Sequence, residues 1–122
     1  MRILVTGDRN WEHAIPIVLL LTEHANAGDT VIHGAARGAD TIAAWVAGLL
    51  GLDVEAYPAN WKRYGRAAGP IRNQEMLDAG IDIVLAFHHD ISQSKGTKDM
   101  VTRALKHGVS VFLHNGNGVC QL

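Results

Sequence analysis

The stretch Gly34-Ala35-Ala36-Arg37-Gly38-Ala39-Asp40 holds the residue types and spacing best suited to gripping an anion. Small side chains let a ligand approach the backbone, a helix beginning there offers N–H groups without intrahelical partners, and Arg37 adds a bidentate charge-assisted contact. The plainer role for Gly34 and Gly38 is a tight strand-to-helix turn, and the adjacent arginine tips the reading toward a phosphate. The motif is neither a Walker A sequence, which needs Gly-Lys-Ser/Thr, nor a GxGxxG dinucleotide fingerprint. Gly96-Thr97 repeats the arrangement, with a hydroxyl that serves either a phosphate or the helix as its N-cap. A third candidate is Gly69-Pro70-Ile71-Arg72-Asn73, read as the first turn of a helix, where a cation opposes the helix dipole and needs a partner. That partner is either an anionic ligand or a carboxylate such as Glu75. As phosphate contacts, Arg37 and Arg72 are both expected to weaken binding when removed while leaving stability nearly unchanged.

Other clusters carry less. Asn60-Trp61-Lys62-Arg63-Tyr64-Gly65-Arg66 interleaves aromatic and basic residues, as a single-strand nucleic-acid surface does, but a flap over the pocket fits equally well. The formal net charge of −1 supplies no field to draw in nucleic acid or an anionic membrane, so neither is expected as a partner. His88-His89-Asp90 reads as solvated loop histidines whose side chains alternate in direction. His33, at a strand end, reads as a packed histidine. Cys120, the single cysteine, permits no intrachain disulfide and no cysteine-based zinc cluster, and no metal or cofactor is expected.

These residues need a frame. Short β-rich runs at Arg2 to Thr6, Thr30 to His33, Asp53 to Tyr57, Ile81 to Phe87 and Val109 to His114 alternate with helical stretches near His13 to Ala27, Asp40 to Leu50, Pro70 to Ala79 and Gly96 to His107. Strands and helices alternating at this spacing predict one α/β Rossmann-like domain over residues 1–122, a five-stranded parallel sheet in order 3-2-1-4-5 with helices on both faces. Residues 58–69 form a loop too long for a routine connection, and 115–122 are expected to fray. In such a sheet ligands bind beyond the carboxyl ends of the strands, where the strand order reverses. The site expected there comprises Gly7, Asp8, Arg9, Gly34, Ala35, Arg37, Gly38, Asp40, Trp61, Arg72, Asn73, Gly96 and Thr97. The longest apolar run, Ala14 to Leu21, falls far short of the roughly 20 residues of a membrane helix, and a cytoplasmic protein is expected. The apolar surface of Ile17 to Leu21 leaves room for a homo-oligomer.

At Thr6-Gly7-Asp8-Arg9, His33 to Asp40, Pro58-Ala59-Asn60-Trp61, Ala68 to Asn73 and Gly96-Thr97-Lys98-Asp99-Met100, the sequence resembles the YspA family, the cpYpsA-related SLOG proteins. The resemblance implies a Rossmann-like fold shared with the LOG phosphoribohydrolases and with DprA, and a role in binding nucleotides or their derivatives. LOG enzymes carry a Pro-Gly-Gly-x-Gly-Thr-x-x-Glu motif with a catalytic glutamate. Here Met100 stands at that glutamate's position, which leaves Asp99 and Glu75 as candidate catalytic carboxylates. Binding or sensing of a nucleotide-derived ligand is the leading function, with a nucleotide N-glycosidase using Asp8, Asp40, Glu75 or Asp99 as the alternative and single-strand nucleic-acid binding as the third.

Overall fold

A computed structural model describes all of residues 1–122. Its elements are β1 (Arg2–Gly7), α1 (Ala14–His24), β2 (Thr30–His33), α2 (Ala39–Leu49), β3 (Asp53–Ala56), α3 (Trp61–Tyr64), α4 (Ala68–Asp78), β4 (Ile83–Phe87), α5 (Gly96–Lys106), β5 (Ser110–His114) and β6 (Val119–Gln121). They build an α/β fold around a mixed six-stranded sheet, ordered β3-β2-β1-β4-β5-β6. The first five strands are parallel in the expected order.

The period-2 alternation of each strand sends successive side chains to opposite faces. Ile3, Val5, Val31, Ile83, Leu85 and Phe87 pack with α1 and α2 into one core. Leu4, Ile32, Val84, Ala86, Val111 and Leu113 pack with α4 and α5 into the other. All five residues of β4 are buried, as its unbroken apolar run requires of a central strand. Pro16 and Pro70 each take the third position of their helix, where an amide has no intrahelical acceptor to lose. No helix is long and apolar enough to cross a membrane.

Two expectations fail. The tail does not fray: β6 pairs antiparallel with β5, making the sheet six-stranded and mixed rather than five-stranded and parallel. Asn115 closes the turn, its side chain accepting from the amides of Asn117 and Gly118 at 2.9 and 3.0 Å and its own amide donating to Gly118 O. That Asn-Gly-Asn-Gly run is hairpin chemistry. Residues 58–69 are also not plain loop, because Asn60 Oδ1 accepts from the Arg63 amide and starts α3, a 3₁₀ turn follows at Gly65–Ala67, and α4 begins at Ala68.

Candidate functional site

The carboxyl ends of β1 and β4 meet at Gly7 and Phe87, where the strand order reverses. A Cβ on Gly7 would lie 2.5 Å from Phe87 O and 2.6 Å from Ala39 Cβ, so glycine is what lets β1, β4 and α2 close together. The chain then turns at Asp8, whose carbonyl accepts from Trp11 N at 3.1 Å and Ala39 N at 3.2 Å. Gly38, at φ +70°, lies against the backbone of this turn, and a Cβ there would meet Arg9 O at 2.5 Å. The first and second strand ends are thereby fastened together, with Arg9 and Arg37 both exposed beside them.

Asp40 organises the loop between β2 and α2. Its buried carboxylate accepts from the amides of Gly34 at 2.9 Å and Ala36 at 3.3 Å. Burial pushes its pKa up to about 6, against the opposing pull of those two amides and of Arg72. His33 Nδ1 accepts from Ala35 N at 2.9 Å, and burial, then Arg72, holds its pKa below the usual histidine range. Ala35 sits at φ +58°, a left-handed conformation costly for a residue with a Cβ. What remains is informative: the amides of Arg37, Gly38, Asp40 and Thr41 donate to no acceptor in the chain. They cluster where α2 begins, at the positive end of its dipole.

Arg72 corrects one expectation. It is the fifth residue of α4 rather than a first-turn residue, and it forms no ion pair with the exposed Glu75. Half-buried, it donates from one terminal nitrogen to Gly34 O and to Tyr57 O, the latter at 3.3 Å, and from Nε to Asn73 Oδ1 at 3.2 Å. Its other terminal nitrogen has no acceptor. Burial lowers its pKa, which the carboxylates of Asp40 and Glu75 partly offset. A Cβ on Gly34 would lie 2.6 Å from the guanidinium carbon, so a side chain there would push Arg72 off the carbonyls it bonds. Asn73 passes the network on, donating to Asp99 Oδ2 at 2.9 Å and Gly96 O at 3.4 Å. Arg103 donates to the same Asp99 oxygen at 2.8 Å.

At the start of α5 the N-capping hydroxyl belongs to Ser94, whose Oγ accepts from Thr97 N at 3.0 Å and Lys98 N at 3.3 Å. Thr97 is buried, and Gly96 is exposed with open space where a Cβ would stand. Met100, fully buried, lies in the core with Leu4, Ile32 and Met76. Trp61 is 58% exposed in α3 and lines a shallow hollow of about 450 Å³ with Pro58, Ala59, Asn60 and Lys62. A second hollow of about 410 Å³ runs from Glu12 to Pro16 and Gly116. Neither includes the Gly34–Asp40 loop.

The structure also gathers histidines that lie far apart in the sequence. His89 stacks on the buried Trp11, with centroids 4.5 Å apart, and donates from Nδ1 to Asn115 O at 3.1 Å. His13 and His114 meet the same indole edge-on. His88 turns the other way, toward Asp8. The alternation in direction was legible; the buried aromatic that collects three of the four rings was not.

Residues 1–64 match the model of the YspA, cpYpsA-related SLOG family. The chain belongs to this family. The matched half carries the turn at Gly7-Asp8-Arg9, the Gly34–Asp40 loop and Trp61, so the SLOG match covers the residues around the unpartnered amides. The Gene 61 protein of Mycobacterium phage D29 is similar as well, 38% identical over 119 residues, with 91% of this chain and 94% of that protein covered.

Proposed function

We propose that this SLOG chain is a Rossmann-like binding or sensing domain for a nucleotide or nucleotide-derived ligand, held at the carboxyl edge of the sheet. One observation carries the reading: the amides of Arg37, Gly38, Asp40 and Thr41 lack acceptors at the start of α2, beside the exposed Arg37 and Arg9. In this reading Gly7, Asp8, Gly38 and Ala35 shape the surface, Arg37 and Arg9 neutralise phosphate, and Trp61 offers a face for a base. Gly34, Asp40, Arg72 and Asn73 hold the loop in place, and Gly96 with Thr97 closes the far side. Family membership supports the class of ligand.

Binding rather than hydrolysis fits the carboxylates nearest the LOG motif. Asp99 is held by Asn73 and Arg103, Glu75 points to solvent, and Met100 belongs to the core. A thioether neither transfers a proton nor stabilises an oxocarbenium-like centre. Calorimetry with a panel of nucleoside 5′-phosphates and ADP-ribose tests the proposal. At least one should bind, and Arg37→Ala should weaken it by about 1.5–3 kcal/mol with the thermal midpoint unchanged. Chromatography should detect no release of free base from nucleoside 5′-monophosphates. Turnover abolished by Asp99→Asn or Glu75→Gln would replace the binding reading with a hydrolase.

A further inference from the structure

His88 and Asp8 face each other at the point where β1 and β4 end. The Asp90 amide donates to His88 Nδ1 at 3.1 Å, so that nitrogen carries the lone pair and the proton of the neutral ring sits on Nε2. Nε2 stands 3.9 Å from Asp8 Oδ2, beyond hydrogen-bond reach. Oδ1 of the same carboxylate is taken by the Asn10 amide at 2.9 Å, whereas Oδ2 has no donor. Both side chains remain open to solvent, at 13% for His88 and 24% for Asp8.

A donor and an acceptor at this separation define what fits between them. An oxygen at ~2.8 Å from both closes a triangle with an apex angle near ~90°, suited to a group that accepts from N–H and donates to a carboxylate. A phosphate oxygen can accept from His88 but is repelled by Asp8, and an amide N–H serves Asp8 but accepts nothing from His88. A hydroxyl satisfies both. The Asp8 carbonyl is bonded to Ala39 N, which sets this pair beside the unpartnered amides at the start of α2.

We propose that His88 and Asp8 form a subsite for a sugar hydroxyl of the ligand, an assignment that rests on the nucleotide-binding reading. The sugar is held by the end of β1 and β4 while its phosphate meets the start of α2. A hydroxyl between them takes the Nε2 proton on one side and gives its own to Oδ2 on the other, bridging the 3.9 Å gap.

The test is calorimetry with adenosine, guanosine, cytidine and uridine 5′-diphosphates against their 2′-deoxy and 3′-deoxy forms. One deoxy series should bind about tenfold or more weakly, the loss of one well-placed hydroxyl contact. His88→Asn keeps an acceptor for the Asp90 amide and removes the Nε2 donor, so it should bind hydroxyl and deoxy forms alike with its thermal midpoint retained. His88→Gln, whose amide reaches about as far as Nε2, should restore part of the preference. Asp8→Ala should also abolish it. Nucleotide binding by the unaltered protein without any preference for the hydroxyl would overturn this subsite and leave the proposed function intact. Absence of binding by every diphosphate would overturn the subsite, and absence of binding by ADP-ribose and the other nucleoside 5′-phosphates as well would overturn the proposed function.

Discussion

Two glycines that read alike in the sequence separate in the structure. Gly34 is boxed in by the Arg72 guanidinium, a neighbour 38 residues away, whereas nothing lies within 4 Å of a Cβ on Gly96. Gly34→Ala should therefore displace the guanidinium from the Gly34 and Tyr57 carbonyls and cost about 1–3 kcal/mol in denaturant unfolding, and Gly96→Ala should be close to neutral. The two arginines divide in the same way. Arg37 is free for a ligand, but Arg72→Ala leaves the half-buried Gly34 and Tyr57 carbonyls without their donor and should lower stability by about 1–3 kcal/mol, contrary to what its type alone implies. Asp40 carries a pH signature. Its folded pKa, about 6, lies above the 3.8 of an ordinary aspartate, so between those values the folded state holds the proton that the unfolded state has released. Its contribution therefore falls as pH rises through that window and levels off above it, a span of roughly 2–3 kcal/mol. Unfolding midpoints at pH 4 and 7 should show Asp40→Asn gaining on the unaltered protein at the higher pH; equal differences at both would refute the shifted carboxyl.

At the scale of elements, what was legible followed a period and what was missed depended on a neighbour. Strands at Arg2–Gly7, Thr30–His33 and Ile83–Phe87 announce themselves by apolar runs ending in turn residues. The strand at Val119–Gln121 is three exposed residues with no core pattern, and only the Asn-Gly turn before it marks the hairpin. It covers the edge of β5. Removing residues 115–122 should expose that edge and promote self-association, seen as larger species in size-exclusion chromatography; a monodisperse truncated chain with unchanged stability would show that β6 protects nothing. Likewise, the sequence shows Met100 departing from an enzyme motif, but its burial in the α4–α5 core depends on Leu4, Ile32 and Met76. Met100→Glu should not create a hydrolase. It should cost several kcal/mol by burying a carboxylate among apolar side chains, and a stable variant that releases base would contradict this.

For the molecule as a whole, alternating strands and helices were enough to order the five parallel strands, because right-handed crossovers leave few arrangements. That order brings Gly7, Gly34 and the start of α5 to one edge of the sheet, and with them the residues singled out by type. It does not say which polar groups the chain satisfies internally. Asp40 takes the amides of Gly34 and Ala36, and Ser94 takes those of Thr97 and Lys98. The groups left over stand at Arg37, Gly38, Asp40 and Thr41. Amide NMR of the ¹⁵N-labelled protein, titrated with the nucleoside diphosphate that binds most tightly, addresses them directly. Saturable shifts should center on these four amides and diminish in Arg37→Ala. Shifts confined to Trp61, Lys62, Arg63 and Arg66, or no shift with any nucleotide of the panel, would contradict a phosphate seat at the start of α2.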